Sequence, residues 1–271
     1  MKKLKKSVLV MLVGVLSAGL VGCATTENEG SQTQLEQIKE EGVLTIATSA
    51  DYPPYEFHKD IDGKDTIVGF DIMIAQEIAK ELGVELEITD MKFDGLLGAL
   101  SADKADMVLA GMTPTQERKN AVNFTDVYYE GESVIVIKKE NKETLKTVED
   151  LKKATISVQK SSLQESIAID ALQSEDIKGL SKIPDVVLEV VNDNADAAVV
   201  SKNAMTGYLK QYPELSILDI ELEALNAEGS AIALKKSDDT SLVDETNKIL
   251  NNLIDTGKVD EFVEEATELA Q

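Results

Sequence analysis

Gly42-Val43-Leu44-Thr45-Ile46-Ala47-Thr48 is a run of β-branched and apolar residues with a glycine at its head, and the segments C-terminal to it set the fold class. Asp71 to Leu82 places Ile74, Ala75, Ile78 and Leu82 at helical spacing, and Val84, Leu86 and Ile88 then alternate as a strand does. Strand, helix and strand in this order form a βαβ unit and predict a largely parallel sheet. Phe93 to Leu100 reads as a short helix and Asp106 to Gly111 as a further strand. Ser133-Val134-Ile135-Val136-Ile137 is strand-like, and beyond it the alternation restarts. Ala154 to Val158 is a strand, a helix begins near Ser162, and Asp196-Ala197-Ala198-Val199-Val200 is a strand again. A second α/β lobe follows from that restart. Ala231 to Leu234 adds one more strand. Two helices, Leu242 to Ile254 and Val259 to Leu269, split at Thr256-Gly257, could complete either lobe.

The chain has 271 residues, 43% hydrophobic, with 27 basic against 50 acidic side chains and a formal charge of −23. This is enough to bury a core and far from the basic balance that neutralising a phosphate backbone requires, so nucleic acid is excluded as a partner. Acidity spread this widely serves solubility and does not name a ligand. The single cysteine, Cys23, allows no disulfide within the chain. Lys2, Lys3, Lys5 and Lys6 precede a charge-free, mostly apolar run from Val8 to Gly22, which is the anatomy of an export signal and falls short of the roughly 20 residues that span a bilayer. The polar stretch from 24 to 36 reads as a flexible tether.

Catalytic patterns are sparse. The only histidine, His58, sits in what reads as a polar turn, His58-Lys59-Asp60-Ile61-Asp62-Gly63, and would have no cysteine partner once Cys23 carries lipid. No nucleophile elbow, phosphate loop or zinc motif is present, and no metal or cofactor is expected. The basic residues are more telling, because a single one of them, Arg118, is an arginine. It lies in Leu109-Ala110-Gly111-Met112-Thr113-Pro114-Thr115-Gln116-Glu117-Arg118, directly after a strand. In a chain that uses lysine everywhere else, a lone planar fork beside glycine and threonines points to bidentate carboxylate recognition; the plainer alternative is a charge on a helix surface after the proline turn.

Gly42 to Thr48, Tyr52-Pro53-Pro54-Tyr55-Glu56-Phe57, Gly69-Phe70-Asp71-Ile72, Phe93-Asp94-Gly95-Leu96, Thr113 with Thr115, Glu117 and Arg118, Phe124-Thr125-Asp126 with Tyr128-Tyr129, Gln159 to Glu165, and Asp196 to Val200 occur in an order that resembles the polar amino-acid substrate-binding proteins of bacterial ABC importers. The resemblance spans nearly all of the chain beyond the tether. Leu20-Val21-Gly22-Cys23 likewise resembles the lipobox of bacterial lipoproteins. The resemblance implies a two-lobed α/β fold of the type II periplasmic-binding-protein class, with the lobes joined by two hinge strands near Glu130 to Ser133 and Asn226 to Ser230. It implies a signal peptide over 1–22, a lipid-anchored tether over 23–40 attached at Cys23, a first lobe over 41–131 plus 227–271 and a second over 132–226.

The site residues follow from the same resemblance. Arg118 is expected to grip the ligand carboxylate with help from Thr113, and the Gly111 carbonyl to accept from the ligand ammonium. Tyr52 and Phe93 are expected to sandwich its side chain. The turn at Ser161, Ser162 and Leu163 is expected to close on the carboxylate with its amides and hydroxyl, Ser162 also being a plain helix N-cap candidate. Three positions depart from the family pattern: Ser161 stands where glycine is usual, Ser49 where an aspartate often stands, and Ser201 where an acid normally pairs the ligand ammonium. Unless another acid such as Glu228 swings in, serine at 201 forfeits a charge-assisted bond of roughly 1.5–3 kcal/mol.

The function implied is capture of an amino acid or related carboxylate-bearing solute by a monomeric, exported, lipid-anchored protein, which closes over it and delivers it to an ABC permease without turnover. The alternatives are an enzyme on the same scaffold, such as a dehydratase of small carboxylates, and a sensor or adhesion lipoprotein that binds a protein partner.

Overall fold

In a computed structural model, residues 32–226 and 229–271 are described. Helix α1 (Gln34–Glu41) leads into β1 (Val43–Thr48), β2 (Asp51–Tyr52), β3 (Glu56–Ile61) and β4 (Lys64–Val68), then α2 (Phe70–Leu82), β5 (Glu85–Asp90), α3 (Leu96–Ser101), β6 (Met107–Val108), α4 (Gln116–Ala121) and β7 (Val122–Glu130). The second part runs β8 (Ser133–Lys138), α5 (Val148–Lys152), β9 (Thr155–Gln159), α6 (Leu163–Ser166), β10 (Asp176–Leu180), α7 (Ile183–Val191), β11 (Ala197–Ser201), α8 (Lys202–Gln211) and β12 (Leu215–Ile217). Strand β13 (Gly229–Lys235), α9 (Ser241–Asp255) and α10 (Lys258–Leu269) complete the chain.

Two five-stranded sheets result, ordered β5-β1-β6-β13-β7 and β10-β9-β11-β8-β12. In each, three parallel strands are followed by one antiparallel strand, β13 or β8, and an outer strand, β7 or β12, that pairs antiparallel with it. The chain passes from the first sheet to the second between Glu130 and Ser133 and returns before Gly229. Both faces of each sheet are covered: Leu44 and Ile46 of β1 join one cluster with α2, α9 and α10, while Ala47 joins another with α3. That is why the strands read as continuous apolar runs, each fully buried Leu or Ile contributing about 1.5–3 kcal/mol. The C-terminal helices, ambiguous in the sequence, belong to the first lobe, where Leu250, Leu253, Val259 and Phe262 pack with Ile74 and Ile78.

Three local expectations are corrected. The flexible tether does not extend through residue 40, because Gln34–Glu41 is helical. Thr33 and Glu36 form a reciprocal capping box, Gly42 closes the helix at φ 74°, and Ile38 is 1% exposed. Two apolar side chains in a polar stretch carry too little periodicity to reveal this, although the Thr33–Glu36 spacing was the available signal. Cys23, the signal segment and Glu228 lie outside the described residues.

The second correction concerns His58 to Gly63, which is not a turn but most of a hairpin. Strands β3 and β4 pair in antiparallel register around Asp62 and Gly63, both at positive φ (54° and 77°), the signature of a two-residue hairpin turn. The third is β6, which stops at Val108, short of the expected Gly111; Gly111 has φ 53° and turns the chain out of the sheet.

Candidate functional site

The carboxyl ends of β1, β6, β9 and β11 converge on a cleft between the two sheets. Ser49, Tyr52, Glu56, Phe93, Gly111, Thr113 and Arg118 line it from the first lobe, and Gln159, Ser162, Leu163, Gln164, Ile183 and Ser201 from the second. Open α/β sheets place ligands at this end because helix N-termini and loops gather there. The lobes are closed on each other and leave a cavity of about 20 Å³.

Arg118 is built in by its own turn. Thr115 caps α4, its hydroxyl accepting from the Arg118 amide at 3.3 Å, which points the guanidinium back into the cleft. The residue is 9% exposed, so it is not a surface charge. Nη1 donates to the Thr113 carbonyl and Nη2 to the Ser161 carbonyl, each at 2.7 Å, and the guanidinium lies 5.5 Å from the Phe93 ring centre. Burial lowers its pKa to about 10, so it remains cationic at neutral pH.

Gly111 is fixed from behind. Its amide donates to Asp71 Oδ2 at 2.8 Å, and the Tyr128 hydroxyl donates to Asp71 Oδ1 at 2.7 Å. A Cβ at Gly111 would stand 2.8 Å from Tyr52 and 3.1 Å from Tyr55, so the aromatic wall requires glycine here. The Gly69-Phe70-Asp71 stretch has a matching reason: a Cβ on Gly69 would fall 2.1 Å from the Tyr55 carbonyl oxygen, and the close approach lets Asp71 start α2 directly behind the cleft. Burial pushes the Asp71 carboxyl up to about 6 despite its two hydrogen bonds.

Tyr52 and Phe93 both line the cleft, with different neighbours. Tyr52 stacks on Tyr55 at 4.5 Å and 13°, whereas Phe93 lies against Arg118. The turn at Ser161 departs from its expected role. The Ser161 amide donates to Glu165 Oε2 at 2.7 Å, and its carbonyl, not its amide, faces Arg118. Ser161 is absent from the cleft wall and sits at φ 60°, a conformation in which glycine would be unstrained. The Ser162 hydroxyl is engaged as the N-cap of α6, donating to the Gln159 carbonyl at 2.7 Å and accepting from the Glu165 amide at 3.1 Å. Leu163 forms part of the wall.

Ser201 is 1% exposed and Ser49 2%; both line the cleft, and neither hydroxyl has a hydrogen-bond partner. The residue that the sequence reading passed over is Glu56. It is 1% exposed, lines the cleft, and has both carboxylate oxygens without a hydrogen-bond partner. Burial first, then Asp71, Asp51 and Asp90, pushes its pKa well above the ordinary value. A buried carboxyl with no partner is costly, and such a group is a strong pointer to a ligand. The available signal was one acid enclosed in Tyr-Pro-Pro-Tyr-Glu-Phe. His58 plays no part here: its ring is 43% exposed and pairs with Asp65 and Asp90.

Comparison with known proteins identifies the family. The family model for bacterial extracellular solute-binding proteins, family 3, matches residues 44–267. The arginine-binding extracellular protein ArtP of Bacillus subtilis is 35% identical over 261 residues, covering 96% of each chain. Among solved structures, the amino acid ABC transporter substrate-binding protein AbpA of Streptococcus pneumoniae bound to L-arginine superposes with a TM-score of 0.82 at 34% identity, covering 87% of this chain and 98% of that one. An ancestral amino acid-binding protein, a precursor of cyclohexadienyl dehydratase, superposes with a TM-score of 0.76 at 32% identity, covering 86% and 99%. Among the described residues, no helix is long and apolar enough to cross a membrane.

Proposed function

The chain belongs to the bacterial extracellular solute-binding proteins, family 3, and from that premise we propose that its ligand is an amino acid with a cationic side chain, held at its carboxylate by Arg118 and at its cation by Glu56. The protein is an exported amino-acid-binding component of an ABC importer. The observation that carries the ligand class is the Glu56 carboxyl, buried in the cleft with two unused acceptor oxygens. A neutral side chain would leave it unmatched; a guanidinium or ammonium would supply donors and charge together. The relatives that bind arginine support the same class.

Within this reading Arg118 turns from the two backbone carbonyls to the ligand carboxylate, a stronger acceptor for a bidentate fork. The carbonyl of Gly111, whose amide is held by Asp71, takes the α-ammonium, and Tyr52 and Phe93 flank the aliphatic part of the side chain. The connections between β7 and β8 and into β13 serve as hinges, and ligand contacts made by both lobes at once favour the closed form. The protein acts as a monomer tethered through lipid at Cys23, which replacement of Cys23 by serine would release into the medium. Ligand leaves unchanged, and incubation with arogenate-like carboxylates should yield no product.

The test is calorimetric titration of purified protein with L-arginine, L-lysine, L-glutamine and L-glutamate. Binding should be tightest for the cationic pair, and Glu56→Gln should remove that preference. Equal affinity for L-glutamine and L-arginine, or an unaffected preference in Glu56→Gln, would sink the proposal.

A further inference from the structure

Asn203 stands two residues beyond Ser201, in the first turn of α8, and does not line the cleft. Its Nδ2 donates to the Tyr129 hydroxyl at 2.9 Å and, more weakly, towards the Tyr55 hydroxyl at 3.4 Å. Both tyrosines belong to the first lobe: Tyr129 on β7 and Tyr55 on the loop joining β2 to β3. Their rings meet edge-on at 5.9 Å and 88°, and each packs on Phe70, at 4.5 and 5.2 Å. Tyr55 in turn stacks on Tyr52, which faces the cleft. One side-chain amide of the second lobe thus meets the back of the aromatic block whose front face lines the ligand site.

We infer that Asn203 is a closure latch, a positioning residue that ties α8 to the tyrosine block and sets the open–closed equilibrium without touching ligand. On this inference, opening the cleft draws α8 away from β7 and breaks the bond. Apparent affinity scales with the fraction of protein in the binding-competent state. Losing one such bond, net of solvation, therefore weakens every ligand by about 3- to 10-fold, by the same factor for each. Around Asn203, α8 and α10 leave an open cavity of about 570 Å³, so truncating the side chain removes the bond with little repacking.

The test uses Asn203→Ala, Tyr129→Phe and the double variant in the purified protein, with a fluorophore pair reporting the distance between lobes. If the inference holds, each single variant widens the mean distance in the unliganded protein and weakens L-arginine and L-lysine by one common factor. The double variant should do no more than the stronger single one, because both partners of one bond are already lost. Unchanged distance, a loss that differs between the two ligands, or additive losses would each overturn it. The distance measurement needs no ligand, so it stands or falls separately from the proposed ligand class. Tyr129→Phe keeps the ring packing and covers the case in which Asn203→Ala folds poorly.

Discussion

The Arg118 Nη2 donates to the carbonyl of Ser161 at 2.7 Å, so the one arginine of the chain bridges the two lobes across the cleft. Its other arm holds the Thr113 carbonyl of its own lobe. On the proposed reading the residue has two tasks, ligand contact and lobe contact, and both depend on a planar fork. Arg118→Ala should weaken an amino-acid ligand by about 2–5 kcal/mol, since a buried carboxylate loses its partner. Arg118→Lys should recover only part of this, because an ammonium cannot reproduce the fork. Calorimetric titration of both variants measures the difference; equal affinity of Arg118→Lys and the parent would exclude the bidentate role.

If Glu56 pairs the ligand cation as proposed, binding depends on pH, with a sign that follows from its surroundings. Burial and three neighbouring carboxylates raise its pKa, and a bound cation, by favouring the charged carboxylate, should lower it. Cationic ligands should then bind more tightly as pH rises towards that raised value, with protons released on binding. Titrations in two buffers of different ionisation enthalpy report the release. It should vanish in Glu56→Gln, and its absence in the parent protein would contradict the assignment.

Asp51 is another acid held above its ordinary range, at about 6, chiefly by burial; its Oδ1 accepts from the Ile183 amide at the start of α7 across the cleft, at 3.4 Å. The folded chain therefore keeps a proton that the unfolded chain has already released. Its contribution to stability is complete below pH ~4 and is lost as pH rises through about 6. Asp51→Asn retains the acceptor oxygen and removes the titration. The melting temperature of the variant should fall less between pH 4 and 6 than that of the parent; parallel curves would show that Asp51 is not responsible.

Ser161 carries left-handed backbone without being glycine, at φ 60°. Its side chain crowds the following carbonyl at a cost of roughly 1–2 kcal/mol, part of which glycine returns as unfolded-state entropy. Ser161→Gly should stabilise the protein by about 0.5–1 kcal/mol in chemical denaturation while leaving the Arg118 contact to the backbone carbonyl in place. A destabilised variant would mean that the Ser161 side chain holds the turn.

Strands β1 and β5, α2 and the last two helices were legible because each combines an apolar run or a 3.6-residue period with a neighbouring glycine, as at Gly42, Gly83 and Gly257, whereas the parallel strand β10 was not read. The β3–β4 hairpin was not, because Glu56 to Val68 alternates weakly and is half exposed, so polarity masked the pairing. In the cleft, Arg118 stood out through its scarcity. Glu56 did not, since in a chain with 50 acids no single carboxylate is conspicuous until three-dimensional burial strips it of partners. The Ser161–Ser162 turn shows the opposite failure: sequence located the turn, but which side of each peptide faces the cleft is set by the Glu165 carboxylate and by α6, and only coordinates reveal that.

Ser201 offers the sharpest test of how this cleft treats the α-ammonium. It lines the cleft at 1% exposure with an unpartnered hydroxyl, so it brings a dipole where a charge could stand. The parent protein should therefore discriminate only modestly between L-arginine and its desamino analogue 5-guanidinopentanoate. Ser201→Asp should add a charge-assisted bond to the α-ammonium of roughly 1.5–3 kcal/mol, widening the affinity ratio of the two ligands by about 10- to 100-fold. The same change adds a second carboxyl to a cleft already holding Glu56, and like charges raise each other's pKa. The gain should accordingly grow with pH and disappear in acid. An affinity ratio that does not widen would place the ammonium away from position 201 and leave the Gly111 carbonyl as its main partner.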